Sequence, residues 1–180
     1  MRNMDIIEIL KNGGIGIFPT DTLYGLVGSA LNPSVVERIY KVRKRSDGKP
    51  FIVLIHEIKD LESFGILIQS EEVKTAQTYW PGPVSIILPC DNPQFEYLHR
   101  GTKSIAFRLP ADIELHNFLK ETGPLVAPSA NTEGNPPALT IEEAKNYFED
   151  EVDFYVDEGK KEALPSKILK IVGSSVTTLR

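Results

Sequence analysis

The sequence is poor in the residues that build disulfide frameworks and zinc centres. It contains one cysteine, Cys90, and three histidines, His56, His99 and His116, scattered along 180 residues. A single thiol forms no internal disulfide and is typical of a protein kept in a reducing compartment. Histidines this far apart, without further cysteines, lack the ligand spacing of a structural zinc site. We therefore expect a cytoplasmic protein with no metal site of its own.

Long apolar runs are also missing, and we expect no leader peptide. No stretch of about eighteen apolar residues could span a bilayer, and the first residues, MRNMD, lack the apolar core of a signal peptide. Apolar residues make up 41% and charged residues 25% of the chain, as in ordinary globular proteins. We expect one domain over residues 1–180, without a membrane partner.

Several familiar catalytic motifs are absent. The sequence has no GxxxxGK[ST] loop, and its early glycines precede a strand, whereas those of a dinucleotide-binding motif join a strand to a helix. It also has no GxSxG or HExxH motif. These absences disfavour P-loop, dinucleotide-binding and hydrolase functions.

The positive charge, by contrast, is concentrated in one segment. The chain carries a net charge of −5, yet residues 37–49 hold six cations against two carboxylates. This segment follows an apolar strand and a loop rich in hydroxyls and glycines. This order of parts is typical of an anion-binding pocket, and the net negative charge disfavours a general nucleic-acid coat protein.

Periodicity and end signals predict alternating helices and strands. Helices are expected over 4–11, after the Asn32-Pro33 cap, from Ser70, over 112–121 and after a Thr140–Glu143 capping box. Strands are expected at 15–18, 51–56, 84–88, 104–109, 125–127, 154–156, 167–172 and 176–179. We interpret residues 19–31 as loop and the last three strands as a closing antiparallel section. The pattern indicates one α/β domain with a mixed sheet and a long, functional loop at 128–139.

Polar clusters follow several of these strands, at the position where α/β sheets bind ligands. The first cluster is Thr20, Asp21 and Thr22, which could meet a ligand or simply cap a turn. The second cluster leaves the helix after Asn32 and contains Arg43, Arg45 and Lys49. These cations could bind an anion or form a solvated basic face favoured by the helix dipole.

Arg108 lies inside an apolar strand, where it shares a face with Ser104 and Ala106 by alternation. A buried guanidinium needs an anionic partner. The partner could be an internal carboxylate or the carboxylate of a substrate. A further cluster, Pro128-Ser129-Ala130-Asn131, follows another short strand.

Five segments together resemble the YrdC-type threonylcarbamoyl-AMP synthases. They are FPTDTLYGL (18–26), KRSDGKPFIVLI (44–55), WPGPVSIIL (80–88), IAFRLP (105–110) and PLVAPSAN (124–131). They occur in the family's order and span essentially the whole chain. Each segment alone is a modest signal, whereas five in order are highly specific.

The resemblance implies a single YrdC-like domain, with a twisted mixed sheet, flanking helices and a concave, positively charged cavity. It implies a nucleotidyltransferase that converts L-threonine, bicarbonate and ATP, with Mg²⁺ bound to the ATP, to threonylcarbamoyl-AMP and pyrophosphate. No tightly bound cofactor is implied. The product would feed the threonylcarbamoyl modification of tRNA adenosine, completed by partner proteins.

The resemblance also assigns roles to individual positions. Thr22, Arg108 and Ser166 would bind threonine. Arg45 and Lys49 would contact the ATP phosphates. From the chemistry of this reaction, Arg43, Arg45 and Lys49 would stabilise the triphosphate as the catalytic cations, and Asp21 is a candidate base for the amine. The remaining nucleotide contacts would come from Ser104, Ser129, Asn131 and Arg180.

The chain departs from the family pattern at Pro137, where many members have serine, and at Lys167, where threonine is common. The alternative function is a non-catalytic module that binds double-stranded RNA or associates with the ribosome, since a basic concave surface suits such RNA. A related carbamoyl transferase is a third interpretation, and it would require further domains.

Overall fold

The computed structural model describes residues 3–46 and 48–180. Asp47, which belongs to the basic segment of the sequence analysis, lies outside the described residues. The described helices are α1 Asn3–Lys11, α2 Pro33–Val42, α3 Glu71–Ala76, α4 Glu96–His99, α5 Ile113–Thr122 and α6 Ile141–Phe148, with 3-10 helices at Ile58–Phe64 and Pro93–Phe95. None of them is long and apolar enough to cross a membrane.

The described strands are β1 Gly16–Pro19, β2 Tyr24–Ser29, β3 Ile52–Leu54, β4 Val84–Pro89, β5 Ser104–Arg108, β6 Leu125–Val126, β7 Phe154–Tyr155, β8 Lys167–Val172 and β9 Ser175–Thr178. They form one mixed sheet in the order β7-β1-β2-β6-β3-β5-β4-β8-β9. Parallel pairs join β1 to β7, β3 to β5 and β4 to β8, and the other neighbours are antiparallel. The predicted mixed α/β fold is therefore confirmed.

Helix α2 begins where the sequence predicts, because Asn32 caps it. The Asn32 Oδ1 atom accepts hydrogen bonds from the backbone N–H groups of Ser34 (3.1 Å) and Val35 (3.4 Å), with Pro33 in the first turn. The apolar stripe of the helix then packs against β2. In α6, Thr140 caps Glu143 as expected, but the Glu143 carboxylate accepts from the Leu139 N–H instead of completing the box on Thr140.

Two of the predictions are wrong. Residues 24–29 form the buried strand β2 instead of loop, because their glycines let neighbouring groups approach closely. A Cβ at Gly28 would lie 2.5 Å from Val35 Cγ1 on α2, so only glycine permits this packing without a shift. The last three strands do not form one antiparallel section: β7 pairs in parallel with β1 at one edge, while β8 and β9 form a hairpin at the other.

The two faces of the sheet are covered unequally, and this difference positions the cavity. One face is packed along its length by a large core that includes Leu26, Val53 and Phe107. On the opposite face, α1 and α5 cover one part through a second core that includes Leu54. Strands β5, β4 and β8 leave the rest of that face open, and it forms the floor of a cavity.

Candidate functional site

The cavity has a volume of about 400 Å³, within the range typical of small-molecule sites. Its floor follows strand alternation: Ala106 and Ile87 point into it, whereas their neighbours Phe107 and Ile86 lie in the large core. The walls come from the β1–β2 loop, the segment after α2, the loop after β6 and the β8–β9 region. Eight of the ten predicted site residues line it: Thr22, Arg43, Arg45, Ser104, Arg108, Ser129, Ser166 and Arg180.

The charges of the lining are of one sign. Among its described residues are four arginines, Arg43, Arg45, Arg108 and Arg180, and no carboxylate. Such a lining can attract and orient an anionic ligand.

Arg108 has an internal carboxylate partner, which is one of the two kinds of partner that the sequence left open. Its Nη2 atom lies 2.9 Å from Asp21 Oδ1, and its Nη1 atom donates to Thr22 Oγ1 at 3.1 Å. Both charged groups are largely buried. Burial lowers the pKa of Arg108 against the opposing charge of Asp21, and burial raises the pKa of Asp21 against the opposing charge of Arg108.

Arg43 is committed to the loop after β6. Its Nε donates to the Asn131 carbonyl oxygen at 2.8 Å, and its Nη2 donates to Asn131 Oδ1 at 2.9 Å. Ser129 Oγ donates to the same Oδ1 at 2.7 Å. Burial lowers the pKa of Arg43 to about 10, reinforced by the nearby charge of Arg45. Through these bonds Arg43 joins the end of α2 to residues 128–139. Its partner, Asn131, does not line the cavity.

Arg45 lies at the cavity edge, whereas the Lys49 side chain lies outside the lining. Arg45 Nε donates to the Lys49 carbonyl oxygen at 3.0 Å, and its guanidinium lies 5.2 Å from the Phe51 ring centroid. Burial lowers the pKa of Arg45. The Lys49 side chain is more than half exposed, and its ammonium forms an ion pair with Glu133.

Glu133 was missed by the sequence analysis. Besides Lys49, its carboxylate accepts hydrogen bonds from the Ser46 N–H (2.7 Å) and Oγ (2.9 Å). The hydrogen bonds from Lys49 and Ser46 lower the pKa of Glu133 to about 2. No local pattern reveals this contact, since the partners are 84 and 87 residues apart.

Three further predicted residues lie around the other end of the cavity. Ser104 Oγ donates to Thr102 Oγ1 at 3.4 Å. The buried Ser166 hydroxyl shares a hydrogen bond of 2.9 Å with Ser85, and the Ser166 carbonyl accepts from Arg180 Nη2 at 3.1 Å. Lining residues that the sequence analysis did not select include Thr20, Tyr24, Phe51, Thr102 and Pro165.

A possible metal-ligating group lies apart from this cavity. The potential ligand atoms of His56, Glu57 and Asp60 lie within 4.8 Å of one another. However, Asp60 Oδ2 accepts the backbone N–H of His56 at 2.8 Å and that of Glu57 at 3.2 Å, at the start of the 3-10 helix Ile58–Phe64. Capping of this helix accounts for the arrangement.

Comparisons with known proteins agree with this fold. The model of the Sua5–YciO–YrdC family, described as "Telomere recombination", matches residues 8–180. The chain is 30% identical over 152 residues to a threonylcarbamoyl-AMP synthase of Pyrococcus abyssi, covering 84% of this chain and 45% of the relative. It is 30% identical over 153 residues to a Bacillus subtilis protein of the same name, covering 84% and 44%. The chain thus spans about half the length of these curated relatives.

Solved structures show the same architecture. The structure of P. abyssi Sua5 complexed with L-threonine matches with a TM-score of 0.88 and 26% identity, over 99% of this chain and 53% of that one. Escherichia coli YciO matches with a TM-score of 0.84 over 99% of this chain and 87% of that one, and at 22% identity it supports the fold alone.

Proposed function

The chain belongs to the Sua5–YciO–YrdC family, and on that basis we propose that it is a threonylcarbamoyl-AMP synthase. It would join L-threonine, bicarbonate and ATP to give threonylcarbamoyl-AMP and pyrophosphate, in the cytoplasm, as one domain. Partner proteins would transfer the product to tRNA. The observation that carries the proposal is the convergence of eight predicted site residues, four of them arginines, on one cavity.

The proposed reaction suits a site without a side-chain nucleophile. The threonine nitrogen and bicarbonate form a carbamate with loss of water. A carbamate oxygen then attacks the α-phosphorus, and the bond between this phosphorus and the bridging oxygen breaks as pyrophosphate leaves. Catalysis of such a transfer depends on positioning and on neutralising charge on the leaving group.

The cations divide into two groups in this proposal. Arg45 at the cavity edge and Lys49 beside it would bind the triphosphate, with Lys49 exchanging Glu133 for a phosphate oxygen. Arg43 would position the loop after β6, because its guanidinium is occupied by Asn131. ATP brings Mg²⁺ as part of the substrate, and the described lining offers no carboxylate to hold the ion.

Threonine would lie at Arg108, near Thr22, with Ser166 on the facing wall. The nucleotide would extend along Ser104, Ser129 and Arg180. The alternative of RNA binding gains no specific support, since the guanidinium groups of Arg43 and Arg108 are buried and bonded within the protein.

An assay that omits one substrate at a time tests the proposal. Pyrophosphate release from ATP should require both threonine and bicarbonate. Release that is unchanged without threonine would contradict the substrate assignment. Salt-sensitive RNA binding without threonine-dependent nucleotide chemistry would favour the RNA alternative.

Arg45→Ala and Lys49→Ala test the phosphate assignment. A lost charge-assisted hydrogen bond should weaken ATP binding about tenfold and leave threonine binding nearly unchanged. Lys41→Ala, an exposed cation on α2, is the matched control and should change neither affinity. Equal losses for ATP and threonine would argue against this placement.

A further inference from the structure

One backbone carbonyl connects Arg45, at the cavity edge, with a tyrosine inside the protein. The Lys49 carbonyl oxygen accepts from Arg45 Nε at 3.0 Å and from the Tyr40 hydroxyl at 2.9 Å. Arg45 lines the cavity, whereas Tyr40 lies on α2, is 3% exposed and is not part of the lining. A carbonyl oxygen has two lone pairs, and these two donors use both of them. The position of the acceptor that orients Arg45 therefore depends on Tyr40.

The backbone beyond α2 ties Arg45 to the same tyrosine. Lys44 has a φ of 51°, and its N–H donates to the Lys41 carbonyl at 3.0 Å. The Arg45 N–H donates to the Tyr40 carbonyl, also at 3.0 Å. These bonds form the Schellman motif that commonly ends a helix. Arg45 is thus held at its backbone by the Tyr40 carbonyl, and at its guanidinium through the acceptor that the Tyr40 hydroxyl fixes.

The Tyr40 side chain is itself fixed by its neighbours. Its ring stacks on that of Phe51, with ring centroids 4.1 Å apart, and the Arg100 guanidinium lies 3.9 Å from the Tyr40 ring centroid. Burial raises the pKa of Tyr40, so its hydroxyl keeps its proton at neutral pH and donates. Tyr40 therefore presents a stationary hydrogen-bond donor to the Lys49 carbonyl.

A fixed Arg45 suits the binding of an anionic ligand. Its Nη atoms have no hydrogen-bond partner among the described residues, and such a guanidinium edge can bind a phosphate oxygen. A long side chain that is ordered before binding loses less conformational entropy when the ligand arrives. Without the Tyr40 hydroxyl, part of this order would have to be created during binding, and the affinity would fall.

We propose that Tyr40 is a positioning residue for the phosphate-bearing substrate. Its hydroxyl fixes the Lys49 carbonyl and thereby holds Arg45 in the orientation that binds a phosphate group. This inference rests on the proposed function and deepens it, because it makes the affinity for ATP depend on a residue outside the cavity. Tyr40 contacts no substrate in this role.

Tyr40→Phe tests the proposal, because it removes the hydroxyl and keeps the stacked ring. Calorimetric titration of the full chain with ATP, in the presence of Mg²⁺, should show an affinity about three- to tenfold lower, as expected for one lost hydrogen bond. Threonine affinity should be unchanged, since Arg45 is assigned to the phosphates. The thermal unfolding midpoint of the variant establishes that it is folded. An unchanged ATP affinity, or equal losses for both ligands, would overturn the inference.

Tyr97→Phe is the matched control. The Tyr97 hydroxyl also donates to a backbone carbonyl, that of Ala30, at 2.9 Å, and neither residue lines the cavity. This variant loses the same kind of hydrogen bond and should keep its ATP affinity. An equal loss of ATP affinity in both tyrosine variants would show that general destabilisation causes it, and the inference would be wrong.

A double-mutant cycle with Arg45→Ala shows whether Tyr40 acts through Arg45. In the Arg45→Ala background, Tyr40→Phe should change ATP affinity by less than about twofold, because the residue that it positions is gone. The same loss in both backgrounds would contradict the proposed route. An ATP affinity that is insensitive to Arg45→Ala would refute the phosphate assignment of the proposed function, whereas one that is sensitive to Arg45→Ala but not to Tyr40→Phe would refute this inference alone.

Discussion

Replacing Arg43 with alanine should destabilise the protein, because its buried guanidinium joins α2 to the loop after β6. The variant loses two hydrogen bonds from a charged donor to Asn131, each contributing about 1.5–3 kcal/mol. The substitution also removes the free-energy cost of burying a charged guanidinium, the same burial that lowers the pKa of Arg43 to about 10. This gain offsets part of the loss. We expect the free energy of unfolding to fall by about 2–4 kcal/mol.

Urea unfolding followed by tryptophan fluorescence measures this loss. Trp80 is the single tryptophan, is 7% exposed and donates its indole N–H to the Val84 carbonyl at 2.7 Å, so its signal should report loss of the fold. Lys41→Ala, which removes an exposed cation from α2, is the control and should change stability by less than about 0.5 kcal/mol. A similarly small change for Arg43→Ala would contradict the conclusion that Arg43 stabilises the protein by joining α2 to the loop after β6.

A double-mutant cycle with Asn131→Ala tests whether the energy lies in the proposed contact. The Nη2 bond of Arg43 ends on the Asn131 side chain, whereas its Nε bond ends on the Asn131 backbone carbonyl and is kept in Asn131→Ala. Because the two side chains share the Nη2 bond, their losses should be non-additive by about 1–2 kcal/mol. Additive losses would place the effect of Arg43 elsewhere.

Two more predictions concern contacts that adjoin the cavity or its supporting strand. The pKa of Glu133 is lowered to about 2, so its bonds with Lys49 and Ser46 should stabilise the folded protein at pH values above the ordinary pKa of a glutamate. This contribution should be lost as the pH falls toward 2. Glu133→Gln should therefore flatten the stability profile between about pH 5 and 2 in urea unfolding, and an unchanged slope would contradict the pairing with Lys49. Gly28→Ala should cost about 1–3 kcal/mol, because its Cβ would meet Val35 Cγ1 at 2.5 Å. Gly48→Ala is the control, since an added Cβ there meets nothing within 4 Å, and equal unfolding midpoints for the two variants would contradict the packing argument.

Local signals in the sequence predicted the parts of the fold that are decided locally. Asn32 followed by Pro33 located the start of α2, because capping depends on neighbouring backbone groups. Alternation along β5 placed Arg108 on the same face as Ser104, and both line the cavity.

The errors arose where distant partners decide the outcome. Residues 24–29 contain two glycines and resemble loop, and their strand becomes evident only from the close packing of Val35 over Gly28. The pairing of β7 with β1 involves residues 138 positions apart, which no hydrophobic pattern encodes.

The candidate site shows the same division. The sequence required an anionic partner for Arg108 but did not reveal that Asp21 is one, because this contact depends on how the β1–β2 loop folds over β5. Glu133 went unnoticed for a related reason, since a loop carboxylate has no sequence signature that identifies a cation distant along the chain as its partner.

The β8–β9 hairpin should couple ligand binding in the cavity to local opening at the edge of the sheet. Ile168 on β8 lines the cavity, and Arg180 follows β9, yet among the described strands β9 pairs with β8 alone and all four of its residues are exposed. Such edges open locally at a lower free energy than the centre of a sheet. A ligand that contacts the hairpin binds its closed form, so part of the binding free energy goes into keeping the hairpin closed. Ligand binding should therefore slow amide hydrogen exchange in the hairpin. Ligand occupancy of the cavity and ordering of the β8–β9 hairpin should thus increase together, because binding and closure are thermodynamically linked.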